Sequence, residues 1–454
     1  MNSINLKNER SGYADGENNK DTRSNGSITA TYYDSGFRLS HDTYNGIYAA
    51  SDGLIYYVLC SESLEEGGKM YSFDPATKGI TLCGDLTEAC GEKGLKAIPQ
   101  GKSHVSFIEL NGRLYFGTHI GYYTSVEGME KMGIPPEGYN PYPGGHLLSF
   151  DLRTRKFEDY GIVPHKEGVL TMNMDTRRNI IYGITWPTGY FFKYDIVKKE
   201  MKDFGRISED GENGTKEKYR TLCRSVAIDP DTGIVYFSTS DGIIFQYSPA
   251  TDQLDPVVED NLKKDYFGQY DPASPGHMGY NWRQVFWHPK HKSIYGIHGN
   301  SGYFFRFDPA AKRVEILDRI TSKLSQRSGM FDQFSYGYLG LLVGHDQHTV
   351  YYLTGSPMFI DGKRVTGKPG TAKGEAKGLE NLHLITYDIL TCQYHDHGPI
   401  FFKDGSAPLY VNSIAIGYDG HIYFMGRVPG ENKIKTDLIS IPDPLKDTGL
   451  TMQK

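Results

Sequence analysis

Apolar and polar residues alternate along most of this chain in short runs, each broken by a turn of Gly, Pro, Asn or Asp. A period of two marks β-strands, and here the strands recur in a fixed order. One series reads KMYSFDPAT from Lys69, HLLSFDLRT from His146, YFFKYDIVK from Tyr190, IIFQYSPAT from Ile243, YFFRFDPAA from Tyr303, HLITYDILT from His383 and DLISIPDP from Asp437. Each is a strand that runs into a polar turn. A second series precedes it: DGLIYYVLC from Asp52, NGRLYFGTH from Asn111, RNIIYGITW from Arg178, TGIVYFSTS from Thr232, HKSIYGIHG from His291, QHTVYYLTG from Gln347 and DGHIYFMGR from Asp419. These open on hairpin turns such as NG, DG and DTG. A third series lies just upstream, from NGIYAAS near Asn45 to NSIAIGY at Asn412, and a fourth follows the Asp turns, as in GITLCGDL and KFEDYGIV.

Four strand types in the same order, spaced by roughly 60 residues, predict radial repetition. The expected fold is all-β: a seven-bladed β-propeller of four-stranded antiparallel blades. The fourth strand is missing from the last repeat. ITATYYDSGFRL near residue 30 can supply it, so the ring is expected to close through an N-terminal strand. Residues 1–28 are polar and expected to be disordered, and 29–454 form a single domain. Composition agrees: 34 Tyr, 53 Gly and 13% aromatic residues favour short strands and tight turns.

Strand order divides the disc into two faces. The first-to-second and third-to-fourth connections are short hairpins. The other connections carry the long insertions at 120–145, 258–282 and 356–382, and sites are built on such loops. His288, His291, His345, His348 and His421 fall on the plain face, and His395 and His397 on an outer strand. The loop-bearing face collects His104, His119, His146, His298, His383, Trp186, Tyr190, Tyr303, Arg206, Arg224, Arg283, Asn412 and Arg427.

Imidazole, phenol, guanidinium and indole groups without paired carboxylates argue against ordinary glycoside hydrolysis. They suit proton abstraction beside a carboxylate. Arg or His⁺ neutralises a uronate, Tyr or His moves the protons, and aromatic rings hold the sugars. A net charge of −6 and a pI of about 6.2 offer no field for nucleic acid or an anionic membrane. Five Cys without a CxxC pair make no disulfide framework, and no apolar run approaches the ~20 residues of a membrane span. The polar start lacks a signal peptide. Location is therefore cytoplasmic, or secreted or periplasmic if a signal has been removed.

The His in KSHVSF, the His in FGTHIGYY and the Tyr in PTGYFFKYD resemble the propeller-type polysaccharide lyases, in particular the ulvan lyases of polysaccharide lyase families 24 and 25. The resemblance implies β-elimination on a uronic-acid polysaccharide. His104 and His119 would neutralise charge or assist proton transfer, Tyr190 would be the acid/base, and either Arg206 or Arg224 would neutralise the uronate. Trp186, Arg206, Arg283, His298, Tyr303 and Asn173 are the expected substrate-binding residues. The partner is then an anionic polysaccharide or oligosaccharide, with the protein a monomer. No cofactor is required, and a structural or catalytic divalent metal (Zn, Ca or Mn) stays open. The alternatives are a metal-dependent propeller lyase or lactonase of the oligogalacturonate-lyase kind, in which His298 and His383 matter more, and a non-catalytic binding propeller.

Overall fold

A computed structural model describes residues 26–126, 129–275, 278–328, 340–361, 363–365, 380–411, 413–428 and 435–446. The expectation for residues 1–25, and Asn412, lie outside the described residues; Ile28 already belongs to a strand.

The chain is all-β, built mainly from four-stranded antiparallel sheets, as a propeller is. The first sheet holds Ile47–Ala49, Ile55–Ser61, Lys69–Phe73 and Ile80–Asp85, with Ser40–His41 added to its second strand. The second holds Ile108–Leu110, Arg113–Gly117, His146–Asp151 and Lys156–Ile162. The third holds Gly168–Asp175, Ile180–Trp186, Tyr190–Asp195 and Glu200–Arg206. The fourth holds Ala227–Ile228, Val235–Ser238, Ile244–Ser248 and Gln253–Pro256. The fifth holds Trp282–His288, Ser293–His298, Tyr303–Asp308 and Arg313–Arg319.

The last sheet has eight strands. One half is Leu341–Val343, Thr349–Pro357, Glu380–Asp388 and Gln393–Phe402; the other is Ala415–Ile416, His421–Val428 and Lys435–Pro442. Ile28–Tyr33 joins the halves. Its first residues run parallel to Ile400–Phe402, and Thr31–Tyr33 pair antiparallel with Leu438–Ser440.

The repeated turn has a local cause. Asp74, Asp151, Asp195, Asp308 and Asp388 each end a third strand and accept backbone N–H groups from the turn that follows. Four residues after each Asp, at Lys78, Arg155, Lys199, Lys312 and Cys392, the chain turns through φ between 49° and 61°. An Asx turn followed by one left-handed residue is a compact hairpin solution, and it explains why the motif recurs.

Second strands are buried along almost their whole length, whereas fourth strands such as Glu200–Arg206 are largely exposed. Each sheet therefore lies between two others. Tyr56 meets Phe150, Tyr182 meets Tyr247, Tyr236 meets Phe307 and Phe304 meets Tyr387, with ring centroids 5.2–5.8 Å apart. Phe73 of the first sheet packs against Tyr423 near the chain's end, at 5.7 Å. The first strands of the third, fourth and fifth sheets and Leu341–Val343 lie side by side in succession, and Ile47–Ala49 lies beside Ala415–Ile416. No helix among the described residues is long and apolar enough to cross a membrane.

Close packing between sheets needs residues without side chains. A Cβ on Gly117 would stand 2.7 Å from Val169 of the next sheet. Gly117→Ala should cost about 1–3 kcal/mol through overpacking, read as a lower urea midpoint at unchanged slope. An unchanged midpoint would show that the sheets are not closely apposed there.

Candidate functional site

The expected residues separate into two neighbouring groups, one buried and one open. In the buried group, His119, two residues past the strand Arg113–Gly117, exchanges backbone hydrogen bonds with Lys102, which brings His104 alongside. The two imidazole rings lie 5.1 Å apart, edge to face, and His104 stacks on Tyr44 at 4.4 Å. The Nδ1 atom of each histidine is buried without a hydrogen-bond partner among the described residues. Burial, then the charges of His119, Arg224, Lys102 and Arg283, hold His104 far below its ordinary pKa; burial, Lys102 and Arg224 do the same to His119. These surroundings disfavour the charged form of both rings. Of the two roles expected of them, neutralising charge and assisting proton transfer, it is the first that such surroundings work against.

The buried charge belongs to Lys102, which sequence reasoning missed. Its Nζ lies 2.9 Å from Glu62 and 4.6 Å above the Tyr123 ring. Burial works against this charge, but Tyr123 and Glu62 raise the lysine well above its ordinary value. Its only sequence signal was a place two residues before His104.

Carboxylates stand closer to the site than the sequence suggested. Buried Glu212 accepts the Trp186 indole N–H at 2.8 Å and the Leu222 backbone N–H at 3.0 Å, and pairs with Arg224 at 2.6 Å. Trp186 packs against His119 and Tyr123 and is almost fully buried, so it is not an open sugar platform. The hairpin Tyr123–Val126 and Met129–Met132, from the 120–145 insertion, covers this group. Lys131 fastens it to the Glu212 and Gly214 carbonyls at 2.6 and 2.8 Å. Nearby, Arg427 makes a two-pronged ion pair with buried Asp42. Arg283 is buried, with Nη1 at 3.2 Å from the Met278 sulfur.

The open group lies at the outer end of the third sheet. Tyr190 starts the third strand opposite Arg206 in the fourth. Arg206 Nε donates to the phenol oxygen at 3.4 Å, and Nη1 pairs with Asp210 at 2.7 Å. The turn into Tyr190 is fixed from below. Buried Glu167 accepts from Thr185 Oγ1 and from the Thr188 N–H, and Thr185 Oγ1 accepts the Tyr190 N–H. His165, not singled out by the sequence, stacks on the Tyr190 ring at 3.7 Å.

The fifth sheet repeats this frame. Tyr303 stands opposite Arg319, whose guanidinium carbon lies 5.8 Å from the ring, against 5.9 Å for Arg206 and Tyr190. The environments differ. Arg319 is buried and donates from Nε to the Ser301 carbonyl, while the Arg206 side chain is 52% exposed. His298 is buried against Phe267 at 4.1 Å, its Nδ1 at 2.8 Å from Ser301 Oγ, and burial drives it down to about 3. Asn173 ties two sheets together: its Nδ2 donates to the Val226 carbonyl and its Oδ1 accepts the Met174 N–H.

His146 at the third-strand start of the second sheet and His383, three residues into Glu380–Asp388, are histidines paired with acids. His146 lies between Asp159 at 2.9 Å and Glu92 at 3.0 Å, and His383 lies 2.8 Å from Asp396. No group of three or more His, Cys, Asp or Glu side chains that could hold a metal ion occurs among the described residues. Neither any protein-family model nor any curated protein matches this sequence.

His146 gives a test of these electrostatics. Burial opposes its charge, but hydrogen bonds to Asp159, Cys90 and Glu92 push its pKa up to about 11 from an ordinary 6.5. A raised folded-state value stabilises fully below the unfolded value and fades as pH climbs toward 11. His146→Gln should therefore lose more stability at pH 6 than at pH 10, measured by urea unfolding. Equal losses at both would show the ring to be neutral in the fold.

Proposed function

We propose that this protein is a polysaccharide lyase cleaving a uronic-acid-containing polysaccharide by β-elimination, on a seven-bladed propeller closed by its N-terminal strand. The five separate sheets and the two halves of the eight-stranded sheet are the blades in this reading. Its support is the succession of first strands lying side by side and the contact of the chain's last strands with its first sheet. Ile28–Tyr33 then serves as the fourth strand of the last blade.

The reaction rests on one observation: a tyrosine hydroxyl beside a half-exposed guanidinium at the loop-bearing end of the third sheet. The C5 proton of a uronate becomes acidic enough to remove only when the neighbouring carboxylate is neutralised. Both candidates have an acid partner, but the Arg224–Glu212 pair is buried whereas the Arg206–Asp210 pair lies open to solvent and can exchange, so Arg206 takes the carboxylate. A base accepts the C5 proton, the C–H electron pair becomes the C4=C5 bond, and the C4–O4 bond breaks as O4 receives a proton. Tyr190 takes part in this acid–base exchange. His104, His119 and Lys102 form the wall behind it, and the scheme needs no cofactor. The contrast with the fifth sheet supports placing the site here, since its Tyr–Arg pair has the guanidinium buried.

Incubated with a panel of uronate polysaccharides, the protein should release products with the ultraviolet absorbance of a 4,5-unsaturated uronate. No release from any member, with or without a divalent metal, refutes the reading. Tyr190→Phe should lower turnover at least ~100-fold with an unchanged melting temperature. Arg206→Ala should reduce kcat/KM by roughly 10–100-fold, again without loss of stability. Arg224→Ala should instead cost about 3–5 kcal/mol of stability by stranding Glu212. His345→Ala, whose ring meets the Ile416 carbonyl at the opposite end, should change neither.

A further inference from the structure

His165 has no part in the scheme above, yet it lies nearer to Tyr190 than any other histidine described. It sits in the connection between Lys156–Ile162 and Gly168–Asp175, held there by backbone that side chains rarely adopt: φ is 58° at His165 and 56° at Lys166. Two successive left-handed residues, neither of them glycine, persist only where the surroundings enforce them, and such positions gather at functional sites. The result is specific. The imidazole lies 3.7 Å from the Tyr190 ring, nearly parallel at 23°, and the side chain remains 49% exposed.

Its Nε2 is 2.8 Å from Asp203 Oδ2, and the other Asp203 oxygen accepts the Gly205 N–H at 2.8 Å. Asp203 is thus fixed by the backbone and in turn fixes the ring. A carboxylate that accepts the Nε2 proton selects the tautomer with a lone pair on Nδ1. Tyr190, by contrast, would have to lose its own proton before it could accept another.

We infer that His165 is the catalytic base of the elimination, oriented by Asp203, and that Tyr190 is the acid; the assignment rests on the lyase reading above. Nδ1 of His165 accepts the C5 proton. The C5–H electron pair becomes the second C4=C5 bond, the C4–O4 bond breaks, and O4 leaves with the phenolic proton of Tyr190. The phenolate is held by Arg206 Nε until water returns the proton from the imidazolium to the phenol, so no oxidant or reductant is involved. The fifth sheet supplies the comparison. There the equivalent tyrosine, Tyr303, packs against Tyr266 at 4.7 Å where Tyr190 has a histidine. It is the same frame with a phenol where the third sheet has an imidazole.

The test uses the full chain and the uronate polysaccharide that wild type cleaves. His165→Gly suits the positive φ, so it should fold with an unchanged melting temperature. Its kcat should fall ~10²–10⁴-fold while KM stays near wild type, with partial recovery on adding imidazole. Asp203→Asn, a positioning variant, should lower kcat less and displace the acid limb of the pH–rate profile. A His165→Gly protein that turns over as fast as wild type overturns the base assignment alone. So does one whose slower rate keeps the wild-type dependence on pH. A wild type that releases no unsaturated product from any uronate overturns the lyase reading and this assignment with it.

Discussion

Burial of both faces of the second strands is the constraint on which the rest of the structure depends. Ile55–Ser61 and Thr349–Pro357 are buried at every position, so neither face of either strand can meet water. A sheet of this kind cannot stand alone; it is completed by the sheets beside it. Aromatic rings supply most of the contact, and small residues let them in: a Cβ on Gly84 of the first sheet would stand 2.7 Å from the Phe157 ring of the second. With the space between sheets given over to packing, polar chemistry collects at the strand ends and in the connections between them.

Within those connections a few buried acids do most of the organising. Glu167 ties down the turn that delivers Tyr190, Glu212 joins Trp186 to Arg224, and Glu92 holds His146 and the Gln100 amide. Each satisfies N–H groups or a cation that burial would otherwise leave exposed to a low dielectric at high cost. The same low dielectric, with Lys102 and Arg224 close by, disfavours charge on His104 and His119, whereas Asp159 and Glu92 favour it on His146. Two histidine environments a short distance apart are thus pushed in opposite directions by the groups that face them.

The strand order was legible because it is local. Alternation and the Asp turn depend on residues a few positions apart, and each copy of the motif reports the same geometry independently. The placing of Tyr190 opposite Arg206 was half legible, since hairpin register follows from the turn. The rest depended on contacts that no motif carries. His165 stands in a connection whose left-handed backbone has no glycine to announce it. Lys102 reads as an ordinary surface lysine, yet its neighbours Glu62 and Tyr123 come from different loops. Asn173, expected to bind substrate, has its amide bound on both sides by backbone. Trp186, expected as an open surface, is closed over by a hairpin from another sheet.

The strand Ile28–Tyr33 has a further consequence for how the molecule is made. Its antiparallel partners, Leu438–Ser440, are separated from it by nearly the whole chain, and its parallel partners, Ile400–Phe402, by almost as much. During synthesis the intervening sheets can assemble as they emerge, but this strand finds its partners only once Ile400–Phe402 and Leu438–Ser440 have left the ribosome. Until then its edge is of the unpaired kind that invites wrong partners, and its pairing is of very high contact order. The docking of Ile28–Tyr33 is therefore a late event, and any chaperone assistance this protein receives has a natural point of action there.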